Sequence, residues 1–491
     1  MKYLNLNLEA FDYKKENGTE SFRVRVSNSP AGEQKLGDAE MVSLPDNLRQ
    51  RLRPLEKRQL NLEEMIALGE GLGGALFPPK VRSLLSKSEA RLAEGEGLRV
   101  RLMLDTYALA DLPWEFVYLA DPNTPADQKG AEGFLVLDRR LSLVRYQVLE
   151  QAIGKLDPVA GGPLRLVALL SNPQNTPELN LAVEQQNIEK ALKEVPTIQA
   201  EFFPHATIDV LLEALIKGAH IFHFSGHGKF EGEMGSSYGS QEGKGFLSLT
   251  GDNGEEVAFS AQKLALSLAG RGVRFAMLGA CESSKVDQVN AWTGIASALT
   301  RAGIPAVVGM QFTVRDGNAI AFSKSFYLAL AAGQTIDEAV TEGRLAIFAR
   351  SDNDDRDWGV PVLYLRAEEG IVFPKPVEHT GQPGDNLQPA ARVGPASPES
   401  AKPAGQIKVD VDLRTLREAI VQFFSMAELT DVCLDVQEAL ADAGVNLEVN
   451  LEMVGGEGKR AKVLNLIQYL ERRGYLSYLV SAVRKARPEI I

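Results

Sequence analysis

The chain has 491 residues, 44% apolar and 24% charged, with a net charge of −12. That length predicts roughly three domains of an ordinary globular protein. The acidic balance argues against non-specific nucleic-acid binding, which needs a basic surface, and no run approaches the roughly 18 apolar residues of a membrane span.

From residue 1 to about 150, "FRVRVSN", "LRVRLML" and "RLSLVRYQVL" alternate like half-exposed strands, with "LPWEFVYL" and "GFLVLDRR" between them and helix over about 46–94. This predicts a β-rich N-terminal region, 1–150. Over 151–373 short apolar runs alternate with helical patterns. "LRLVALL", "TIQAEFF", "HIFHFSGHG", "GVRFAMLGAC" and "IPAVVGM" read as strands. Between them, "LAVEQQNIEKALKEV" carries Leu181, Ile188 and Leu192 on one helical face. "TIDVLLEALIKG" has Thr207 as N-cap and Gly218 as its stop. This rhythm predicts an α/β core, a mostly parallel sheet flanked by helices, whose ligands meet the carboxyl ends of the strands.

Residues 374–406 are rich in Pro, Gly, Ala and Ser without an apolar period, which predicts an extended linker. Residues 407–491 read as an all-α helical bundle. Leu413, Leu416, Ile420 and Phe424 share one face, and Val463, Leu466, Ile467 and Leu470 share another. Ser425 and Glu428 fit a capping box.

Only two cysteines occur, Cys281 and Cys433, too few for a disulfide framework and without zinc-type spacing. The opening stretch lacks the apolar core of a signal peptide. Together these lead to the expectation of a cytoplasmic protein.

The chemistry concentrates in "HIFHFSGHG" and "AMLGACESS". On a strand His223 and His227 would stand about 13 Å apart, too far to share a metal, and no acidic or Cys cluster completes a site. No metal and no cofactor is expected. His223, in mid-strand, reads as a buried core residue; His205, His220 and His379 lack a chemical context. His227, between Gly226 and Gly228 past the apolar part of the strand, is placed to reach into the crevice. Cys281 also ends a strand, after Gly279 and Ala280. A nearby imidazole can take a thiol proton, so that the thiolate attacks a carbonyl and the imidazolium protonates the leaving amine. The Gly228 and Cys281 amides are candidate donors to the oxyanion. A buried inert Cys281 fits the spacing equally well.

"HFSGHG", "GFLSL", "LGACESS", "AGIPAVVGMQFTVRD" and "WGVPVLY", preceded by "LPWEFVYL" and "GFLVLDRRLSLVRY", resemble in order and spacing the CHAT domain. That family is the separase-related branch of the caspase-like cysteine peptidases. The resemblance spans roughly residues 95–370. It implies a caspase-like fold with His227 as general base and acid, Cys281 as nucleophile and Gly228 as oxyanion donor. Asp316 in "MQFTVRDG" aligns with an aspartate of separase-like enzymes, which implies recognition of arginine. The other reading of Asp316 is a cap for the helix that follows. Residues 411–491 resemble the effector-associated, death-like helical modules of prokaryotic defence proteins. That implies pairing with an adaptor or sensor carrying a matching helical domain, or self-association through 407–491.

The expected function is a cysteine endopeptidase acting on a protein substrate such as a pore former or toxin, in antiphage defence or programmed cell death. Arg392 in the linker is a candidate self-cleavage site. The rival expectation is a catalytically silent caspase-fold scaffold.

Overall fold

The computed structural model describes residues 1–120, 124–125, 128–149, 156–159, 162–231, 244–279, 291–350, 352, 354–374, 413–442, 445, 447, 449–451, 458–471 and 475–487. Cys281, His379, Arg392, most of the 374–406 linker and Arg472–Arg473 lie outside them. The chain divides into two compact units, Met1–Gly381 and Gln382–Ile491.

The first unit begins with β1 (Lys2–Glu16), β2 (Thr19–Asn28), β3 (Glu40–Ser43), α1 (Leu48–Glu56), α2 (Leu62–Leu76), α3 (Pro79–Glu89), β4 (Glu96–Leu104), α4 (Tyr107–Ala110) and β5 (Leu141–Arg145). It continues with β6 (Leu164–Leu170), α5 (Leu181–Leu192), β7 (Ile198–Pro204), α6 (Ile208–Ile216), β8 (Ile221–Ser225), β9 (Gly228–Glu231), β10 (Lys244–Thr250), β11 (Glu256–Ser260) and α7 (Ala261–Leu268). It closes with β12 (Phe275–Gly279), α8 (Ala291–Arg301), β13 (Ala306–Met310), α9 (Asp316–Ala331), α10 (Ile336–Phe348) and β14 (Pro361–Leu365).

One 11-stranded sheet holds the unit together, in the order β3-β2-β1-β4-β5-β14-β13-β12-β8-β6-β7. The strands β13, β12, β8, β6 and β7 are mutually parallel. β14 runs against β13 and parallel to β5, which is parallel to β4, and β4 to β1. The strands of the predicted N-terminal region therefore extend the same sheet, with β1, β4 and β5 running in the reverse direction and β2 antiparallel to β1. "GFLSL" is not in that sheet. It forms β10, the centre of a small sheet ordered β11-β10-β9.

The edge strand β7 leaves Gln199 and Glu201 exposed, but the four inner parallel strands, β6, β8, β12 and β13, are mostly apolar on both faces because both faces are covered. Leu166, Ala168, Ile221, Phe275, Met277 and Val308 pack with Ile188 of α5, Phe322 and Phe326 of α9 and Val340 of α10. Val167, Leu169, Phe222, Phe224, Ala276 and Val307 pack on the other face with α6, α7 and α8. The period of two sends alternate residues to opposite helical layers, so no polar face remains along these strands. The helix stops follow local chemistry. Thr207 Oγ1 accepts from Val210 N at 3.1 Å. Gly218 takes a left-handed φ of 73° past the end of α6, where a Cβ would be strained.

The second unit contains α11 (Leu413–Phe423), α12 (Met426–Asp442), α13 (Lys459–Glu471) and α14 (Leu476–Ala486). Leu416, Ile420, Phe424, Val463, Leu466, Ile467 and Leu470 share its core with Cys433, whose thiol burial pushes up to about 11. The capping box forms: Glu428 N donates to Ser425 Oγ at 3.2 Å, and Ser425 N to Glu428 Oε2 at 2.6 Å. Among the described residues no helix is long and apolar enough to cross a membrane.

Candidate active site

The carboxyl ends of β6, β8, β12 and β13 lie along one edge of the sheet, and the segments leaving them carry the candidate residues. β8 ends at Ser225, paired in register with Gly279 of β12. The Gly226 amide then donates to the Gly279 carbonyl at 3.3 Å. A Cβ on Gly226 would come within 2.7 Å of the Phe224 ring and 3.0 Å of the Ser171 carbonyl, so only glycine fits this turn. The turn delivers His227, half-buried. Described chain stops on the partner strand at Gly279, two residues before Cys281.

His227 Nε2 lies 2.9 Å from the Pro177 carbonyl oxygen. A carbonyl only accepts, so Nε2 carries the proton and Nδ1 keeps its lone pair. Among the described residues Nδ1 has no hydrogen-bond partner. Burial depresses the imidazole pKa and Lys229 assists, while the Pro177 bond and Glu256 pull it up; the net shift is downward. The Pro177 bond thus fixes the ring's orientation and, in the neutral ring, leaves Nδ1 as a base atom without a partner among the described residues.

Gly228 follows as the first residue of β9. Ser248 N donates to the His227 carbonyl at 3.0 Å, and Gly228 faces Leu247. In an antiparallel ladder hydrogen-bonded and non-bonded pairs alternate. His227–Ser248 is bonded, so Gly228–Leu247 is not, and the Gly228 N–H points away from β10 toward the open side of β9.

His223 has the opposite environment. It is 3% exposed, with Nε2 3.1 Å from Ser225 Oγ and Nδ1 3.5 Å from the Tyr327 hydroxyl. Ser225 Oγ donates to Glu184 Oε1 at 3.3 Å. His223 Nε2 stands 3.9 Å from that same carboxylate, but burial pushes the imidazole pKa down to about 4, so the two are joined through a neutral hydrogen-bond chain and not an ion pair. His220 Nδ1 accepts from Arg165 N at 2.8 Å. His205 lines a cavity of about 610 Å³ at the ends of β6 and β7 with Asn172 and Glu178.

Asp316 is exposed, the first residue of α9. The N-cap is Arg315, and no side-chain bond caps the helix, so the capping alternative for Asp316 does not hold. Asp316 has no hydrogen-bond or ion-pair partner among the described residues. Glu184 of α5 feels the charge of Asp316: burial raises the Glu184 pKa, the Ser225 bond opposes this, and Asp316 adds to the rise.

Two of these groups have little or no signature in the sequence. The Pro177 carbonyl belongs to the loop "SNPQNTPELN", and a backbone acceptor carries no side-chain signature. Glu184 looked like one more polar position of an amphipathic helix. Its only signal was its place in the first turn after a strand end.

A family model described as the CHAT domain matches residues 67–382, and one described as effector-associated domain 7 matches residues 416–488. No curated protein matches the chain. Among solved structures, the chain is similar to separase in the Saccharomyces cerevisiae separase–securin complex, at 13% identity and a TM-score of 0.31, over 58% of this chain and 17% of that one. It is similar to the Arg-specific cysteine proteinase gingipain R at 11% identity and a TM-score of 0.37, over 66% of this chain and 77% of that one. A third similar structure is the complex of the Porphyromonas gingivalis RgpB pro- and mature domains, at 12% identity and a TM-score of 0.37, over 66% of this chain and 78% of that one.

Proposed function

The chain belongs to the CHAT-domain family, and on that premise we propose that it is a cysteine endopeptidase working through a His227–Cys281 dyad. One observation carries the reading: His227 is pinned through Nε2 to the Pro177 carbonyl, while Nδ1 and the neighbouring Gly228 amide have no partner among the described residues. His223, by contrast, has both ring nitrogens beside polar partners.

In the proposed reaction His227 Nδ1 takes the proton of Cys281 Sγ, and the thiolate adds to the scissile carbonyl carbon. The developing oxyanion accepts from the Gly228 and Cys281 amides, a contribution of about 100- to 1,000-fold per donor. Collapse breaks the C–N bond as Nδ1–H passes its proton to the leaving amine. Water, deprotonated by the same nitrogen, then cleaves the thioester and restores both groups. The Pro177 bond keeps the ring oriented and favours the imidazolium in between.

The exposed Asp316, without a partner among the described residues, supports cleavage after arginine. A guanidinium forms charge-assisted hydrogen bonds with such a carboxylate. Asp316→Ala is expected to lower kcat/KM for arginine peptides about 10- to 100-fold, the worth of one such bond, with little change for neutral peptides. An unchanged arginine preference across a peptide panel removes this role.

The effector-associated domain supports recruitment by an adaptor or sensor with a matching helical domain, or clustering of this chain with itself. On this reading the chain acts in the cytoplasm, in prokaryotic defence or cell death, on a protein such as a held-inactive pore former or toxin, with Arg392 as a secondary self-cleavage site. The deciding experiment labels wild type, Cys281→Ala and His227→Ala with an irreversible thiol-directed peptide probe and screens a proteome for new N-termini. Labelling and cleavage by the wild type alone support the peptidase. A wild type that neither labels nor cleaves, even with its adaptor bound, makes the chain a caspase-fold scaffold.

A further inference from the structure

The segment Gln311–Asn318, which leaves β13 and carries Asp316, is held at Gln311, Phe312, Thr313, Arg315 and Asn318. Gln311 Nε2 donates to the Gly359 carbonyl at 2.8 Å. The Arg356 guanidinium lies over the Phe312 ring, 5.0 Å from its centroid. The Arg315 amide donates to Asp357 Oδ2 at 2.9 Å, and its guanidinium to Asp355 Oδ2 at 3.1 Å. Asn318 Nδ2 donates to both Asp355 and Asp357.

Thr313 is held by its carbonyl, and the donors come from far along the chain. Arg356 Nη1 donates to it at 3.1 Å and Arg58 Nη2 at 2.9 Å. Arg58 Nε also reaches Asp357 Oδ1 at 3.3 Å, while Arg356 donates onward to the Leu55 and Glu56 carbonyls at the end of α1. The N-terminal region thereby grips the segment that borders the substrate crevice.

The backbone at Arg58 sharpens the point. Residue 58 lies just past the end of α1 with φ of 55°, a left-handed helix terminator at which glycine is the least strained residue. Helix termination alone would favour glycine there, yet an arginine stands in its place and its side chain spans two partners.

We propose that Arg58 is a positioning residue for substrate specificity: with Arg356 it fixes the Thr313 carbonyl, and so sets where Asp316 presents its carboxylate. This rests on the peptidase reading for its consequence, but the clamp itself does not. Two donors on one carbonyl restrict the peptide plane, and α9 starts three residues later, so a rotation at Thr313 displaces Asp316.

The test uses the full chain carrying Arg58→Gly and Arg58→Lys. Glycine suits φ of 55°, and Asp357 keeps Arg356, Asn318 and the Arg315 amide, so the fold and Tm are expected to hold. Hydrogen exchange of 311–318 should speed up in Arg58→Gly with other segments unchanged. KM for arginine peptides should rise about 10-fold with kcat nearly constant, and Arg58→Lys, a single point charge, should restore part of it. Unchanged exchange overturns the clamp. Faster exchange with an unchanged KM overturns the specificity role. If the wild type cleaves nothing, the peptidase reading fails, and exchange alone decides the clamp.

Discussion

The two halves of the large sheet treat polar groups in opposite ways. In the half running from β1 to β14, buried charge is spent on structure. Arg99, 1% exposed, meets Asp337 through two bonds of 2.6 and 2.8 Å, and Ser142 Oγ donates to the same carboxylate at 2.6 Å. Arg145 and Glu115 form a second buried pair, at 2.8 and 3.0 Å. In the half from β13 to β7, three groups past the strand ends have no partner among the described residues: Nδ1 of His227, the amide of Gly228 and the carboxylate of Asp316. A fully partnered buried charge fixes structure, whereas chemistry needs a group that is positioned and still available. Strand direction sorts the two. β1, β4, β5 and β14 run against β13, so their carboxyl ends lie at the edge opposite the crevice.

The largest expected effect separates the two histidines. His227→Ala should lower kcat/KM at least about 1,000-fold, within the range for a general acid–base, with Tm unchanged. If its Tm falls as it would for a core residue, the distinction drawn between the halves fails. In the other half, Asp337→Ala strands the Arg99 guanidinium in the core and should cost about 3–5 kcal/mol in denaturant unfolding. Activity per folded molecule should hold; a matching loss of specific activity would mean that the charges of that half also serve the site.

A smaller effect is read by pH. Burial holds the His223 pKa at about 4, against an ordinary value near 6.5. The unfolded imidazole takes up a proton that the folded one refuses. The stability due to this group is therefore whole above about pH 6.5 and falls as the pH drops to about 4, by roughly 3 kcal/mol in all. His223→Gln should remove that slope from the stability profile. Smallest is the tuning of His227. In a Cys281→Ala background its NMR titration midpoint should lie below 6.5, because burial and Lys229 outweigh Glu256 and Pro177. Glu256→Gln, which removes an attractive charge, should lower the midpoint further. A rise would reverse the sign assigned to that neighbour.

Much of the core was legible because local rules agree with the fold. Apolar runs ending in glycine became β8, β12 and β13, and Thr207 and Ser425 cap as their side chains dictate. "GFLSL" had the same apolar signature as those strands but pairs in a separate small sheet, since pairing depends on which edge the chain reaches. The clamp on Thr313 was invisible because Arg58 lies 255 residues from Thr313 and 299 from Asp357 along the chain.

What the sequence alone determined is the repertoire: which segments are strands, where they must turn, and which residue types stand at the turns. Periodicity, helix caps and glycine sterics act within a few residues and need no partner. Tertiary structure alone decided which groups are spent. The Pro177 carbonyl occupies one nitrogen of His227, the β9–β10 register leaves the Gly228 amide unpaired, and an N-terminal arginine grips the segment beside Asp316. Each outcome depends on a hydrogen bond between distant segments, and such bonds exist only once the sheet has brought those segments together.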